Sequence, residues 1–215
     1  MESNYLIRKL DTSSRDAAWN LADNANIAEI SHFLWMDNGY RPRTEAALTY
    51  TEHDLQLVFR VFEENPLLRF QSPNDPVYKD SCVEFFFQPS PDKDPRYLNL
   101  EINAAGTRLL GIGADRDERT LLPPDSHPPL LIETATGLHD EASGQTYWSV
   151  RATLPLQWLS DLFPDFRPAP GARMRGNFYK CGDETALPHY GCWSEIKSAQ
   201  PNFHLSEWFG TLQFG

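Results

Sequence analysis

Residues 77–88 read VYKDSCVEFFFQ. Strand side chains alternate between two faces, so Val83, Phe85 and Phe87 share one side and Cys82, Glu84, Phe86 and Gln88 the other. The first set is wholly apolar and reads as core. The second places a carboxylate between a thiol and an aromatic ring, which is not ordinary solvent cladding. With Tyr78 opening the segment, the expectation is a central strand of a β-sandwich that carries a ligand site on its outer face.

The next strand strengthens this. After a proline-rich turn, YLNLEIN at 97–103 alternates cleanly. Leu98, Leu100 and Ile102 point in; Tyr97, Asn99, Glu101 and Asn103 point out. A short connection favours antiparallel pairing of 83–88 with 97–103. The two outer faces then merge into one patch of Glu84, Phe86, Tyr97, Asn99, Glu101 and Asn103. Carboxylates, amides and rings together suit a neutral polyhydroxylated ligand.

Outward from this pair, Tyr5–Leu10 reads as a first edge strand, and Ala47–Phe62 as a hairpin with Leu55, Leu57, Phe59 and Val61 inward. Further strands are expected at 107–112, 130–138, 146–154 and 173–181, with a terminal strand at the end of the chain. Pro155–Phe163 fits one short helix with proline in its first turn and Trp158 and Leu162 on its buried side. Residues 115–129 read as a charged, proline-rich surface loop. The loop at 32–43 holds Trp35 and Tyr40 and suits either ligand binding or plugging of the sandwich end. Many short strands and one helix predict an all-β fold: an antiparallel β-sandwich, immunoglobulin-like, jelly-roll-like or DOMON-type. With no internal repeat or linker, residues 1–215 form one domain.

The 215 residues suffice for a full core, and 40% hydrophobic with 13% aromatic content suits a ring-rich β protein. A net charge of −11 repels a phosphate backbone and argues against nucleic acid. No apolar run reaches the roughly 18 residues of a membrane span. MESNYLIRKLD lacks the apolar segment of a secretory signal, so the expected location is the cytoplasm, or outside the cell if a leader has been removed. Three cysteines, Cys82, Cys181 and Cys192, favour free thiols, with a Cys181–Cys192 bridge as the alternative.

Three segments in this order, YKDSCVEFFFQ, YLNLEINAAGT and GNFYKCGDE…PHYGCWSEI…PNFH…WFGTLQF, resemble carbohydrate-binding module family 9 and its stand-alone relatives. The region of Trp19 and the Trp148–Pro155 segment also fit. The resemblance implies a β-sandwich that binds a mono- or oligosaccharide between two aromatic side chains, without cleaving it, in association with carbohydrate catabolism. It also implies that structural calcium is possible. The two tryptophans of the family's xylanase modules fall on Tyr78 and Phe203, and their strand glutamate on Glu84. A sugar-contacting arginine falls on Glu101, a glutamine on Tyr179 and an asparagine near Gln200.

The chemistry agrees with these parts. A pyranose has an apolar face for rings and an equator of hydroxyls for carboxylates, amides and cations. Tyr78, Tyr179 and Phe203 supply the rings. Glu84, Glu101, Asn103, Asn177, Lys180 and Gln200 supply the hydrogen bonds. For Glu84 the competing assignment is a structural ion pair with Arg60, Arg175 or Lys180. Two rival functions stand beside sugar binding. One is a glycoside hydrolase using Glu84 and Glu101, since opposed strand residues lie about 4.5–5.5 Å apart, near the spacing of a retaining carboxylate pair. The other is a β-sandwich that contacts a protein through its aromatic loops. For calcium, Asp115, Asp117 and Glu118 are candidates, in a loop without EF-hand spacing. His189 and His204 read as loop-organising residues.

Overall fold

A computed structural model describes residues 3–10, 26–128 and 130–215. Trp19 and its segment lie outside the described residues. The elements are β1 (Asn4–Lys9), β2 (Ala28–Glu29), β3 (His32–Phe33), β4 (Thr44–Tyr50), β5 (Asp54–Val61), β6 (Cys82–Gln88), β7 (Tyr97–Asn103) and β8 (Arg108–Gly113). There follow β9 (Thr120–Leu121), β10 (Leu131–His139), β11 (Thr146–Pro155), α1 (Leu156–Leu162), β12 (Arg173–Cys181), β13 (Tyr190–Cys192) and β14 (Gly210–Phe214). The chain is therefore all-β, and α1 is the one α-helix among the described residues. No helix among the described residues is long and apolar enough to cross a membrane.

The strands join into one curled, mixed sheet in the order β10-β11-β5-β4-β1-β14-β12-β6-β7-β8-β9, with β2, β3 and β13 attached at its flanks. Strand β1 is the departure from a wholly antiparallel expectation, and it is no edge strand. Its residues Asn4–Ile7 run parallel to β14, and Arg8 and Lys9 then run parallel to β4. Tyr5 and Ile7 are buried while Leu6 and Arg8 are exposed, so a clean alternation serves a strand that links the two halves.

The curl closes over one large core. Leu55, Leu57, Phe59 and Val61 of β5 and Trp148, Val150, Ala152 and Leu154 of β11 meet Val83, Phe85 and Phe87 of β6 and Phe178 of β12. The Phe178 ring stacks on Phe85 at 5.0 Å and meets Phe59 edge-on at 6.2 Å. Helix α1 begins at Pro155, which serves as its N-cap. It buries Leu156 and Leu159, while Trp158 and Leu162 are half-buried at the rim.

The predicted β6–β7 pairing is present, with Glu84 opposite Glu101 and Phe86 opposite Asn99. Its second face is not open to solvent. Every residue of β6 and β7 is buried. A second apolar cluster covers that face, drawing Val77, Tyr179, Cys192, Ile196, Phe203 and Phe209 from loops and neighbouring strands. The loop expected at 115–129 contains β9 and a 3-10 turn at Pro124–Ser126, and β9 pairs with β8.

Candidate functional site

The pairings of β12, β6 and β7 set three residues abreast in each row on the covered face. One row is Cys181, Cys82 and Asn103; the next is Tyr179, Glu84 and Glu101; the third is Asn177, Phe86 and Asn99. Above the middle of this grid lies a cleft of about 300 Å³. Glu84, Phe86, Glu101 and Cys181 reach it from the strands. Its walls come from elsewhere: Trp35, Tyr78, Arg116, Arg119, Asp183, Tyr190 and the stretch Pro201–His204.

Four expected residues therefore meet at the cleft, namely Tyr78, Glu84, Glu101 and Phe203. Tyr78 is placed by the 3-10 turn Val77–Lys79, and its carbonyl accepts the Asp183 N–H at 3.1 Å. Tyr179 lies one layer below. Its ring stacks under Phe203 at 4.1 Å and 10°, and its hydroxyl donates to the Phe203 carbonyl at 3.1 Å. Trp35 adds a further ring, 5.7 Å from Phe203 and 5.9 Å from Tyr190. Its φ is 65°, an unusual backbone state for a bulky residue. The indole N–H donates to the Ser198 carbonyl at 2.7 Å and helps to hold it there.

The remaining expected residues are placed otherwise. Asn103 faces the grid but is spent internally: its Nδ2 donates to the Phe70 carbonyl and to Asp80, and its Oδ1 accepts from Ala105 and Thr107. Asn177 likewise binds the Ser194 backbone through both ends of its amide. Gln200 is exposed on the loop beside the cleft, outside its lining.

Lys180 is the clear correction, because strand alternation sends it to the opposite side of β12. There its Nζ contacts His189 Nε2 at 2.8 Å and Glu63 at 3.4 Å and sits 5.6 Å over the Trp148 ring. Burial opposes ionisation of Glu63, but the Lys180 charge and bonds from Trp148 and Ser81 hold its pKa below the ordinary value. Burial and then Lys180 push His189 down to about 4. The unfolded imidazole titrates near pH 6.5, so the unfolded chain binds more protons between those values, and stability must fall as pH drops through that interval. The loss expected from about pH 6.5 to 4 is about 2 kcal/mol, in the same direction as that from Glu63, and urea unfolding across the range measures it.

None of the ion pairs considered for Glu84 forms. Arg60 pairs with Glu45, and Arg175 donates to the carbonyls of Glu207 and Phe209. Glu84 instead accepts from the Cys181 thiol at 2.9 Å. Burial, and next the charge of Glu101, raise its pKa well above the carboxylate range. Burial raises Glu101 to about 7 against the opposing pull of Arg119 and Asn99. Its Oε1 accepts from Asn99 at 3.0 Å and Arg119 at 3.4 Å, while its buried Oε2 has no protein partner among the described residues. Asp183 is raised to about 6 by burial and then by Glu184. His204 is driven down to about 3 by burial and the charges of Arg119 and Arg116, so it is a neutral imidazole. It bonds the Tyr97 hydroxyl at 2.7 Å and Arg119 at 3.2 Å.

Arg116, Arg119, Tyr190 and Asn202 were not expected in the lining. A trace of Arg119 does exist in the sequence, in LGIG at 110–113. A Cβ on Gly111 would stand 2.5 Å from Asn99 Oδ1 and 3.1 Å from the Arg119 side chain, and one on Gly113 2.5 Å from the Arg119 backbone. These glycines let the 115–121 segment lie flat on β8 so that Arg119 reaches Glu101. Gly113→Ala is therefore expected to destabilise by about 1–2 kcal/mol through overpacking, read as a lower urea midpoint. Asp115 accepts from the backbone N–H groups of Asp117 and Glu118, an ordinary Asx turn in that segment. All three cysteines are free and buried, so Cys181 and Cys192 are not bridged.

The structure of a candidate carbohydrate-binding protein from Bacteroides uniformis is 28% identical, with each chain covered over 100% of its length and a TM-score of 0.84. A family 9 carbohydrate-binding module from Caldicellulosiruptor kristjanssonii, solved with cellotriose, is 13% identical, with a TM-score of 0.62 over 99% of this chain and 93% of that one. Its complex with glucose gives 13% and 0.61, over 99% and 96%. At 13% identity these two share the fold. No curated protein matches. The model of carbohydrate-binding family 9 matches residues 16–214, nearly the whole chain, and the protein belongs to that family.

Proposed function

We propose that the cleft between β6, β7 and the Pro201–His204 stretch is the sugar site, holding roughly one or two pyranose rings. Family membership carries non-catalytic carbohydrate binding as the function. The observation that supports placing it here is the joining of ring faces and hydroxyl-binding groups in one cavity of about 300 Å³. Phe203, backed by Tyr179, together with Tyr78 and Trp35 offers apolar surface to the C–H face of a sugar. Glu84, Glu101, Asp183, Arg119 and Asn202 offer directed bonds to its hydroxyls. Glu101 Oε2, which has no protein partner among the described residues, adds a further oxygen to bond a hydroxyl. Burial and then the charge of Glu101 raise the pKa of Glu84 well above the carboxylate range, which disfavours a charged floor and suits a neutral sugar. Known family complexes with cellotriose and glucose make β-linked glucose oligomers the first to try. The curled sheet, whose two halves meet across one core and are linked by β1, we regard as a β-sandwich of the immunoglobulin or jelly-roll kind.

The test is isothermal titration of the protein with neutral and acidic oligosaccharides, with and without calcium, followed by mass spectrometry of the sugar. Saturable heat with intact sugar is the expected result. Cleavage products would favour the Glu84–Glu101 pair as a hydrolytic centre. Absence of heat with every sugar would remove this assignment and leave a protein partner to be sought.

A further inference from the structure

We propose that Cys82, Cys181 and Glu84 form a site for a thiophilic divalent cation of the Zn²⁺ class in the wall of the cleft. Cys82 and Cys181 oppose one another across β6 and β12, and Glu84 follows Cys82 on the same face. Among the described residues these three offer ligand atoms all within 4.8 Å of one another, with Cys181 Sγ 2.9 Å from Glu84 Oε1. Tetrahedral zinc with Zn–S near 2.3 Å and Zn–O near 2.1 Å spaces its ligand atoms about 3.5–3.8 Å apart. Side-chain shifts of about 1 Å turn the present spacing into that arrangement.

The donor set selects the ion. Two thiolates and one carboxylate favour zinc over calcium or magnesium, which take oxygen ligands. Glu84 and Cys181 line the cleft while Cys82 is fully buried beside them on the sheet, so an ion held by all three would be reached from the cavity. Two protons leave the thiols on binding, and the divalent ion offsets the charge of the two thiolates. Binding is thus proton-coupled and strengthens with pH. Cys192 is a built-in control: its Sγ faces the His32 carbonyl at 3.6 Å, outside the cluster. The site does not depend on sugar binding, although both would use Glu84.

The experiment is titration of the reduced, metal-free full chain with Co²⁺ and then Zn²⁺, without sugar. Expected are a thiolate-to-cobalt charge-transfer band at one equivalent, its loss on adding Zn²⁺, and calorimetric heats whose buffer dependence reports about two or more released protons. Cys181→Ser should weaken Zn²⁺ at least about a hundredfold, Glu84→Gln by tens of fold, and Cys192→Ser should leave it unchanged. Should Cys181→Ser not fold, Zn²⁺ protection of Cys82 and Cys181 from alkylation in the wild-type chain, located by peptide mass, reads the same contact. No charge-transfer band, no protection, or equal affinity in folded Cys181→Ser would overturn the proposal.

Discussion

Lys180→Ala is expected to lower the unfolding free energy by about 3–5 kcal/mol while leaving sugar affinity unchanged. The substitution removes the ammonium that contacts Glu63, His189 and the Trp148 ring, and strands the Glu63 carboxylate in a buried site. An unpaired buried charge, more than the lost pair energy, is what makes such a change expensive. Lys180→Met combined with Glu63→Gln should therefore recover much of the loss. Without Lys180 the His189 pKa moves back towards its ordinary value, and the acid loss of stability between about pH 6.5 and 4 should shrink. Urea unfolding of the three proteins, with sugar titration beside it, decides the matter. A large affinity loss in folded Lys180→Ala would place this side chain at the sugar after all.

Phe203→Ala is expected to weaken sugar binding roughly thirty- to hundredfold, about 2–3 kcal/mol, the worth of one ring's apolar face. Stacking on Tyr179 fixes the plane of Phe203, and Trp35 and Tyr190 flank it, so the ring is set before a ligand arrives. Phe203→Trp should retain most of the affinity because a flat ring remains. Calorimetry with the best sugar from the panel measures both. If Phe203→Ala binds as the wild type does, the sugar lies outside this cleft.

The nine residues expected at the site from strand alternation and family resemblance divide along a physical line. Glu84 and Glu101 sit on one face of adjacent strands, and the period of two that placed them there is local backbone geometry. Phe203 and Tyr78 came from the resemblance, and both line the cleft. Asn103, Asn177 and Lys180 do not serve the cleft because side-chain type does not say which partner a polar group will find. The first two amides are consumed by neighbouring backbone, and Lys180 follows the same period of two to the far side of its strand.

By itself the sequence determined the all-β class, the inward apolar sets of β5, β6 and β7, and the β6–β7 pairing, since these rest on alternation over a few residues and on a short connection. Only the tertiary structure decided that the other face of β6 and β7 is a second buried layer, because the residues covering it arrive from loops distant in the chain. The same packing brought Arg119, His204, Asp183 and Trp35 to the cleft. It also raised the pKa of Glu84 and Glu101, because desolvation depends on what surrounds a group in space and leaves no period in the sequence.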